Sequence, residues 1–354
     1  MKKNKYLKNI PNIFVLNASQ LVLLATLFIF VATVSAESKT AFEATGTTGL
    51  VVFDPGLNID VEPILPIPLK IDLDANKVIL GELLFKDKTL SSNGQYACEN
   101  CHLFDKGATD HTALSPAING KTRALNTPTL FNIGQMKLLG WHGKRTTLGD
   151  TAEAIIKSKK GLAADWPSLL KKLKANPKYL SGFNSAYSDG IQIDNVKDAL
   201  AEFMKSLYTP NSRFDQYLRG NTSAITNEEL AGYRLFKSYG CSSCHQGVNL
   251  GGNMITPAGV FGNFVKDRGE ETPADLGLYN KTGNLSDKYV FRVPTLRNIA
   301  ITQPYLHDGS AQSLDQAVDI MGRYMLGRNL SVDEINLMVK FLGTLTGEYK
   351  GRAL

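Results

Sequence analysis

Apolar positions along this chain recur mostly at helical spacing. Val196, Leu200, Phe203 and Leu207 fall on one helix face, and Ile335, Met338, Leu342 and Leu345 do the same near the C-terminus. Ser331-Val332-Asp333-Glu334 ahead of the second run reads as a capping box, as does Thr226-Asn227-Glu228-Glu229 ahead of Leu230, Tyr233 and Phe236. Another helix is predicted to open near Asp74 and to carry Val78, Ile79, Leu83, Leu84 and Phe85. Strand-type alternation is sparse, so the fold class is mainly α.

These elements come in two similar sets. Gly81-x-x-x-Phe85 and Gly232-x-x-x-Phe236 occupy equivalent places, and each glycine would let a second helix cross closely. The boundary is expected between Tyr208 and Thr226, where Thr209-Pro210-Asn211-Ser212 and Gly220-Asn221-Thr222-Ser223 break helix. Residues 37–70, with Pro55, Pro63, Pro66 and Pro68, read as an extended segment along the surface.

The chemistry lies just after each repeated helix. Cys98-Glu99-Asn100-Cys101-His102 and Cys241-Ser242-Ser243-Cys244-His245 contain all four cysteines of the chain. C-x-x-C-H is the c-type haem attachment signature, in which two thiols bind the porphyrin covalently and the adjacent histidine is delivered to iron. A zinc ribbon would space its cysteine pairs about 15 to 20 residues apart and has no use for histidine after both. Cys101 and Cys241 are 140 residues apart. Thioredoxin-like chemistry calls for a βαβ context that the pattern lacks. Helix, haem motif, loops and closing helix form the plan of two cytochrome c-like (class I) haem domains in tandem, with long haem-wrapping loops, over residues 71–222 and 223–354.

Composition changes this picture little. A chain of 354 residues with 43% hydrophobic content suits two domains. Lys2, Lys3, Lys5 and Lys8 precede the apolar run from Leu21 to Val34 and the small residues Ser35 and Ala36, so residues 1–36 are expected to be a signal peptide cleaved on export to the periplasm, in preference to a retained anchor. Without its four lysines the net charge falls from +6 to +2, which excludes a nucleic-acid footprint.

Haem function turns on the sixth iron position, since a protein ligand there favours electron transfer and an open position admits small oxidants. Met254, Met321, Met325 and Met338 all follow His245. Met321, read as lying just past an apolar turn and before Gly322, is the candidate.

Several longer motifs in order resemble the bacterial di-haem cytochrome c peroxidases, the superfamily that also contains MauG-like enzymes. They run from Leu80-Gly81-Glu82-Leu83-Leu84-Phe85 through Asn126-Thr127-Pro128-Thr129, Trp141-x-Gly143 and Pro210-Asn211-Ser212-Arg213-Phe214-Asp215. They continue in Pro294-Thr295-Leu296-Arg297-Asn298, Pro304-Tyr305-Leu306-His307-Asp308-Gly309 and Met321-Gly322. The resemblance implies that His102 is the proximal ligand of a low-potential, peroxide-binding haem, with His245 and Met321 ligating the high-potential haem that accepts electrons. It implies Trp141 as the bridge between them. It also implies a calcium ion held by the Asn126 side chain and the main-chain carbonyls of Thr302 and Pro304, a hard-oxygen set that suits that ion.

The chain departs from the family where peroxide chemistry is done. Ile118 stands at the place of the displaceable distal histidine, Thr151 and Gly161 at those of the active-site glutamine and glutamate, and His142 at that of the aspartate after the tryptophan. The first iron is then left vacant or capped by His111 or His142, unless the alignment slips between Leu103 and Arg123. His142 adjoins Trp141 and is the better acid/base candidate, while His307 is expected to support a propionate. Tyr305 would be the ligand of a MauG-like variant, which Met321 argues against.

The leading expectation is a peroxidase that reduces hydrogen peroxide to water with electrons from a small soluble cytochrome c or cupredoxin, acting as a homodimer. The alternatives are MauG-like oxidation of a partner protein and a non-catalytic di-haem electron carrier.

Overall fold

A computed structural model describes residues 62–354. The signal-peptide reading and most of the 37–70 segment fall outside the described residues.

The helices, in chain order, are α1 (Ala75–Lys86), α2 (Leu148–Lys157), α3 (Trp166–Lys174), α4 (Pro177–Ala186), α5 (Ile193–Ser206) and α6 (Arg213–Leu218). They continue as α7 (Asn227–Ser238), α8 (Phe264–Arg268), α9 (Tyr279–Thr282), α10 (Leu314–Met325) and α11 (Val332–Gly343). Two short antiparallel pairs complete the fold: β1 (Ile255–Pro257) with β2 (Val290–Arg292), and β3 (Glu348–Tyr349) with β4 (Arg352–Ala353). Among the described residues no helix is long and apolar enough to cross a membrane.

The predicted starts are present. The Asp74 carboxylate accepts from the amides of Asn76 and Lys77, and both capping boxes form at α7 and α11. The two glycines are crossing points. A Cβ on Gly81 would lie 2.0 Å from the Ala199 carbonyl oxygen of α5, and one on Gly232 would lie 2.0 Å from that of Leu337 in α11. Around the first crossing a core gathers Leu84, Phe85, Leu200 and Phe203, and around the second one gathers Tyr233, Phe236, Phe341 and Leu342.

A buried polar pivot joins the two cores. Pro128-Thr129-Leu130-Phe131-Asn132-Ile133 recurs as Pro294-Thr295-Leu296-Arg297-Asn298-Ile299, and both asparagines have φ +60°. The Asn132 amide donates to the Leu207 carbonyl at 2.6 Å, and that of Asn298 to Leu345 at 3.2 Å. Asn132 Oδ1 accepts from the Thr209 amide at 2.8 Å, and Asn298 Oδ1 from that of Gly347 at 3.0 Å. Each sequence thus stitches a haem-motif loop to the end of a closing helix. Arg297, where the first copy has Phe131, forms a fully buried ion pair with Asp215 at 2.7 Å.

The segment before α1 departs from expectation. Ile64 and Ile67 are fully buried, and Ile64 belongs to the second core. Ile64 forms a β-bridge to Gly247, the Ile67 amide donates to Asp215, and Arg297 Nη2 donates to the Leu65 carbonyl at 2.8 Å. The prolines keep the segment extended as read, but Ile64 and Ile67 face inward while Leu65 is exposed. The C-terminus crosses the other way, with the Tyr349 ring packed at a tilt against Phe131 and Phe104 of the first core.

Candidate haem sites and the span between them

Each C-x-x-C-H motif begins with a single 3₁₀ turn, Cys98–Asn100 in one and Cys241–Ser243 in the other. The turn closes through hydrogen bonds from the His102 amide to the Cys98 carbonyl and from the His245 amide to the Cys241 carbonyl. Each imidazole lies near the phenylalanine of the preceding helix, Phe85 at 6.5 Å and Phe236 at 6.4 Å between ring centroids.

The two histidines are oriented alike. His102 Nδ1 lies 3.1 Å from the Ala108 carbonyl, and His245 Nδ1 lies 3.1 Å from that of Leu250. A main-chain acceptor at Nδ1 fixes the proton there and leaves Nε2 as a lone-pair donor, the arrangement a metal-ligating histidine needs. Burial pushes His102 down to about 4 and lowers His245, so both rings are neutral at pH 7. All four cysteines are free, and burial raises the Cys98 thiol to about 12 and the Cys241 thiol to about 11. The paired cysteines beside a histidine anchored at Nδ1 fit covalent haem attachment. Among the described residues neither motif gathers three metal-ligating atoms within 4.8 Å. Asp275, His307 and Asp308 do, but both carboxylates are already paired with Arg268.

Trp141 is held at three points. Its indole N–H donates to the Asn126 carbonyl at 2.8 Å, its own carbonyl accepts from the Arg292 amide at 2.8 Å, and its ring meets His307 edge-on at 6.4 Å. His307 stacks on Phe291, and its Nε2 lies 2.6 Å from Asp275 Oδ1. Burial alone would raise the Asp275 carboxyl, but hydrogen bonds from Arg268, Thr272 and His307 hold it well below the usual carboxylate range. The expectation that His307 serves a propionate is therefore corrected at Nε2, which is committed to Asp275.

Burial drives His142 down to about 4, helped by the positive charges of Lys281 and Arg145, so this imidazole is neutral at pH 7. His111 takes φ +57°, with Nε2 3.0 Å from the Ile301 carbonyl. Ile118 lies in a hairpin closed by hydrogen bonds from Ala117 to Lys121 and from Arg123 to Ser115. The charged groups acting on His102 are Arg123 and Asp110, and each keeps a buried polar atom, Nε and Oδ2 respectively, without a protein partner. Neither was singled out from sequence, because nothing local marks them.

The other departures have structural reasons. The Thr151 hydroxyl donates to the Thr147 carbonyl inside its own helix. Gly161 sits in a turn so tight that a Cβ would lie 2.2 Å from the Ile155 carbonyl oxygen, so no glutamate fits there without rebuilding the turn.

Met321 lies within helix α10 and not past a turn as expected. Gly322 accommodates Leu330, whose Cγ would be 2.8 Å from an added Cβ. Met321 lines a small cavity with Leu306, His307, Phe264, Tyr324 and Met325. Tyr305 is buried, which raises its phenol to about 12 and keeps it protonated. Of the calcium candidates, Asn126 gives its side-chain N–H groups to the carbonyls of Thr112 and Ala113, leaving Oδ1 as its ligand atom. The Asn126 amide donates to the His307 carbonyl at 2.8 Å, which ties it to the stretch that includes Thr302 and the cis-linked Pro304.

Residues 75–223 match the family described as di-haem cytochrome c peroxidase. The chain is 38% identical over 288 residues to a cytochrome c551 peroxidase of Nitrosomonas europaea, covering 81% of this chain and 85% of the relative. The chain belongs to the bacterial di-haem cytochrome c peroxidases. A cytochrome c peroxidase of Escherichia coli K12 is also 38% identical over 81% of this chain, which spans 62% of that longer relative. The same fold occurs in a MauG-like protein associated with microbial copper homeostasis, at TM-score 0.71 and 25% identity over 84% of this chain and 96% of that one. As a member of this peroxidase family the chain is an oxidoreductase that carries two c-type haems.

Proposed function

We propose that this chain reduces hydrogen peroxide to water with electrons from a small soluble donor, a c-type cytochrome or a cupredoxin. The observation that carries the reading is the pair of matched cradles: two C-x-x-C-H turns, each with its histidine anchored at Nδ1, the second followed by helix α10 with Met321. When bound, the haems supply redox-active iron, one closed site for taking up single electrons and one open site for breaking the O–O bond.

The chain's own groups then have separate tasks. His102 and His245 would each hold a haem iron through Nε2, and the Met321 thioether would join His245 in holding the second, which would favour its reduced state. Trp141, pinned through its indole N–H and its carbonyl, keeps one ring position along the electron path that the family resemblance implies. His142, neutral above pH 4, takes and returns a proton. Two electrons and two protons convert one peroxide to two waters.

The finer expectations belong with this reading: two class I cytochrome c-like domains split near residue 222, export to the periplasm, a homodimer, and calcium at Asn126, Thr302 and Pro304. Peroxide-dependent oxidation of a reduced small cytochrome, in wild type and His142→Ala, tests the activity. Sustained turnover that falls at least tenfold in the variant is expected. Absence of turnover with two intact haems would sink the proposal in favour of a pure electron carrier.

A further inference from the structure

Arg292 is a buried cation with no anion. It is 3% exposed, and burial is the sole influence on its ionisation, lowering it to about 10. Its hydrogen bonds go only to neutral acceptors, from Nε to the Gly140 carbonyl at 2.9 Å and from Nη1 to the Met136 sulfur at 3.0 Å. Three other guanidinium groups differ: Arg297 meets Asp215, Arg268 meets Asp275 and Asp308, and Arg213 meets Glu229.

A charge removed from water without a partner is costly enough that folded proteins pair it or neutralise it. Arg292 lies at the end of β2, where Val293 bonds Met254 and Gly252 bonds Val293. The next residue, Pro294, has its carbonyl at the His245 ring. Arg292 thus stands two residues from a carbonyl at the second haem's histidine, and its guanidinium touches Gly140, which leads to Trp141, and Met136, whose side chain packs at Gly252 in the loop after the second haem motif. A haem brings two propionate carboxylates, whose planar geometry matches the guanidinium fork.

We infer that Arg292 is the carboxylate-binding group for a propionate of the haem held by His245, fixing that haem edge against the Gly140–Trp141 turn. It is a positioning residue, since it acts on the electron path through the cofactor carboxylate. The inference rests on the di-haem reading but not on peroxidase activity.

The test uses the holo-protein with both haems attached and no peroxide. Spectroelectrochemical titration of wild type, Arg292→Lys and Arg292→Met is expected to show the His245 haem losing at least about 59 mV in the methionine variant, a tenfold shift of a one-electron equilibrium. The lysine variant keeps most of the potential. No charged side chain of the protein acts on Arg292, so the methionine variant should also gain a pH dependence between pH 5 and 8 as the unpaired propionate takes up a proton. Unchanged potentials in Arg292→Met, or a fall confined to the His102 haem, would overturn the assignment. Should that variant fail to retain both haems, infrared redox difference spectra of wild type with isotope-labelled propionates decide: ionised carboxylate bands at pH 5 are expected, and a protonated band overturns the pairing. A protein with shifted potentials but no turnover would keep this assignment and sink the peroxidase.

Discussion

Asn132 and Asn298 share one hydroxyl: each side-chain amide donates to Thr209 Oγ1, at 2.8 and 2.9 Å, and all three residues are buried. This contact joins the loop that follows the first haem motif to the one that follows the second. Leaving a buried donor without its acceptor costs about 1–3 kcal/mol. Thr209→Val is therefore expected to lower unfolding stability by roughly 2–4 kcal/mol in urea titration. A loss below about 0.5 kcal/mol, the range of an ordinary surface change, would show that the pivot is not a structural joint.

The helix crossings give a second expectation. With a Cβ forced to 2.0 Å from a carbonyl oxygen, Gly81→Ala and Gly232→Ala must push α1 from α5 and α7 from α11. Overpacking of this kind costs about 1–3 kcal/mol or more, against the small gain alanine brings to a helix. Thermal melts in which either alanine raises stability would refute the close crossing.

His142 gives a pH-dependent one. Its folded value of about 4 lies below the ordinary 6.5, so the unfolded chain binds this proton more readily than the folded one. Its stabilising contribution is complete above pH 6.5 and is lost as pH falls from there to about 4. His142→Gln should flatten that part of the stability profile, measured by denaturant midpoints at half-unit pH steps. An identical slope in the variant would place the acid sensitivity elsewhere.

Met321→Leu tests the second axial ligand. Loss of the thioether should lower the midpoint of the second haem by more than about 59 mV and open its iron to cyanide. A variant that keeps the wild-type potential would point to Met325 or another group of that cavity.

What the sequence carries and what it lacks follows from the range of each interaction. Helix starts at Asp74, Thr226 and Ser331 depend on residues within about four positions and appear in the structure as read. The burial of Ile64 and Ile67 depends on Gly247, Asp215 and Arg297, roughly 150 to 230 residues away, so prolines alone suggested a surface strand. Met321 reads from sequence as lying just past an apolar turn, whereas it stands inside a helix whose Gly322 packs closely against Leu330. Arg123 and Asp110 carry no motif and are marked only by buried polar atoms without partners, and Arg292 only by its burial away from any acid.

The central claim is that one polypeptide holds two covalent haems with unequal irons. Electron paramagnetic resonance of the purified fully oxidised protein, with and without cyanide and alongside a haem count, tests it most directly. The account predicts two haems per chain, one low-spin and indifferent to cyanide, the other shifted by it. Fewer than two haems, or two irons that respond identically, would contradict it.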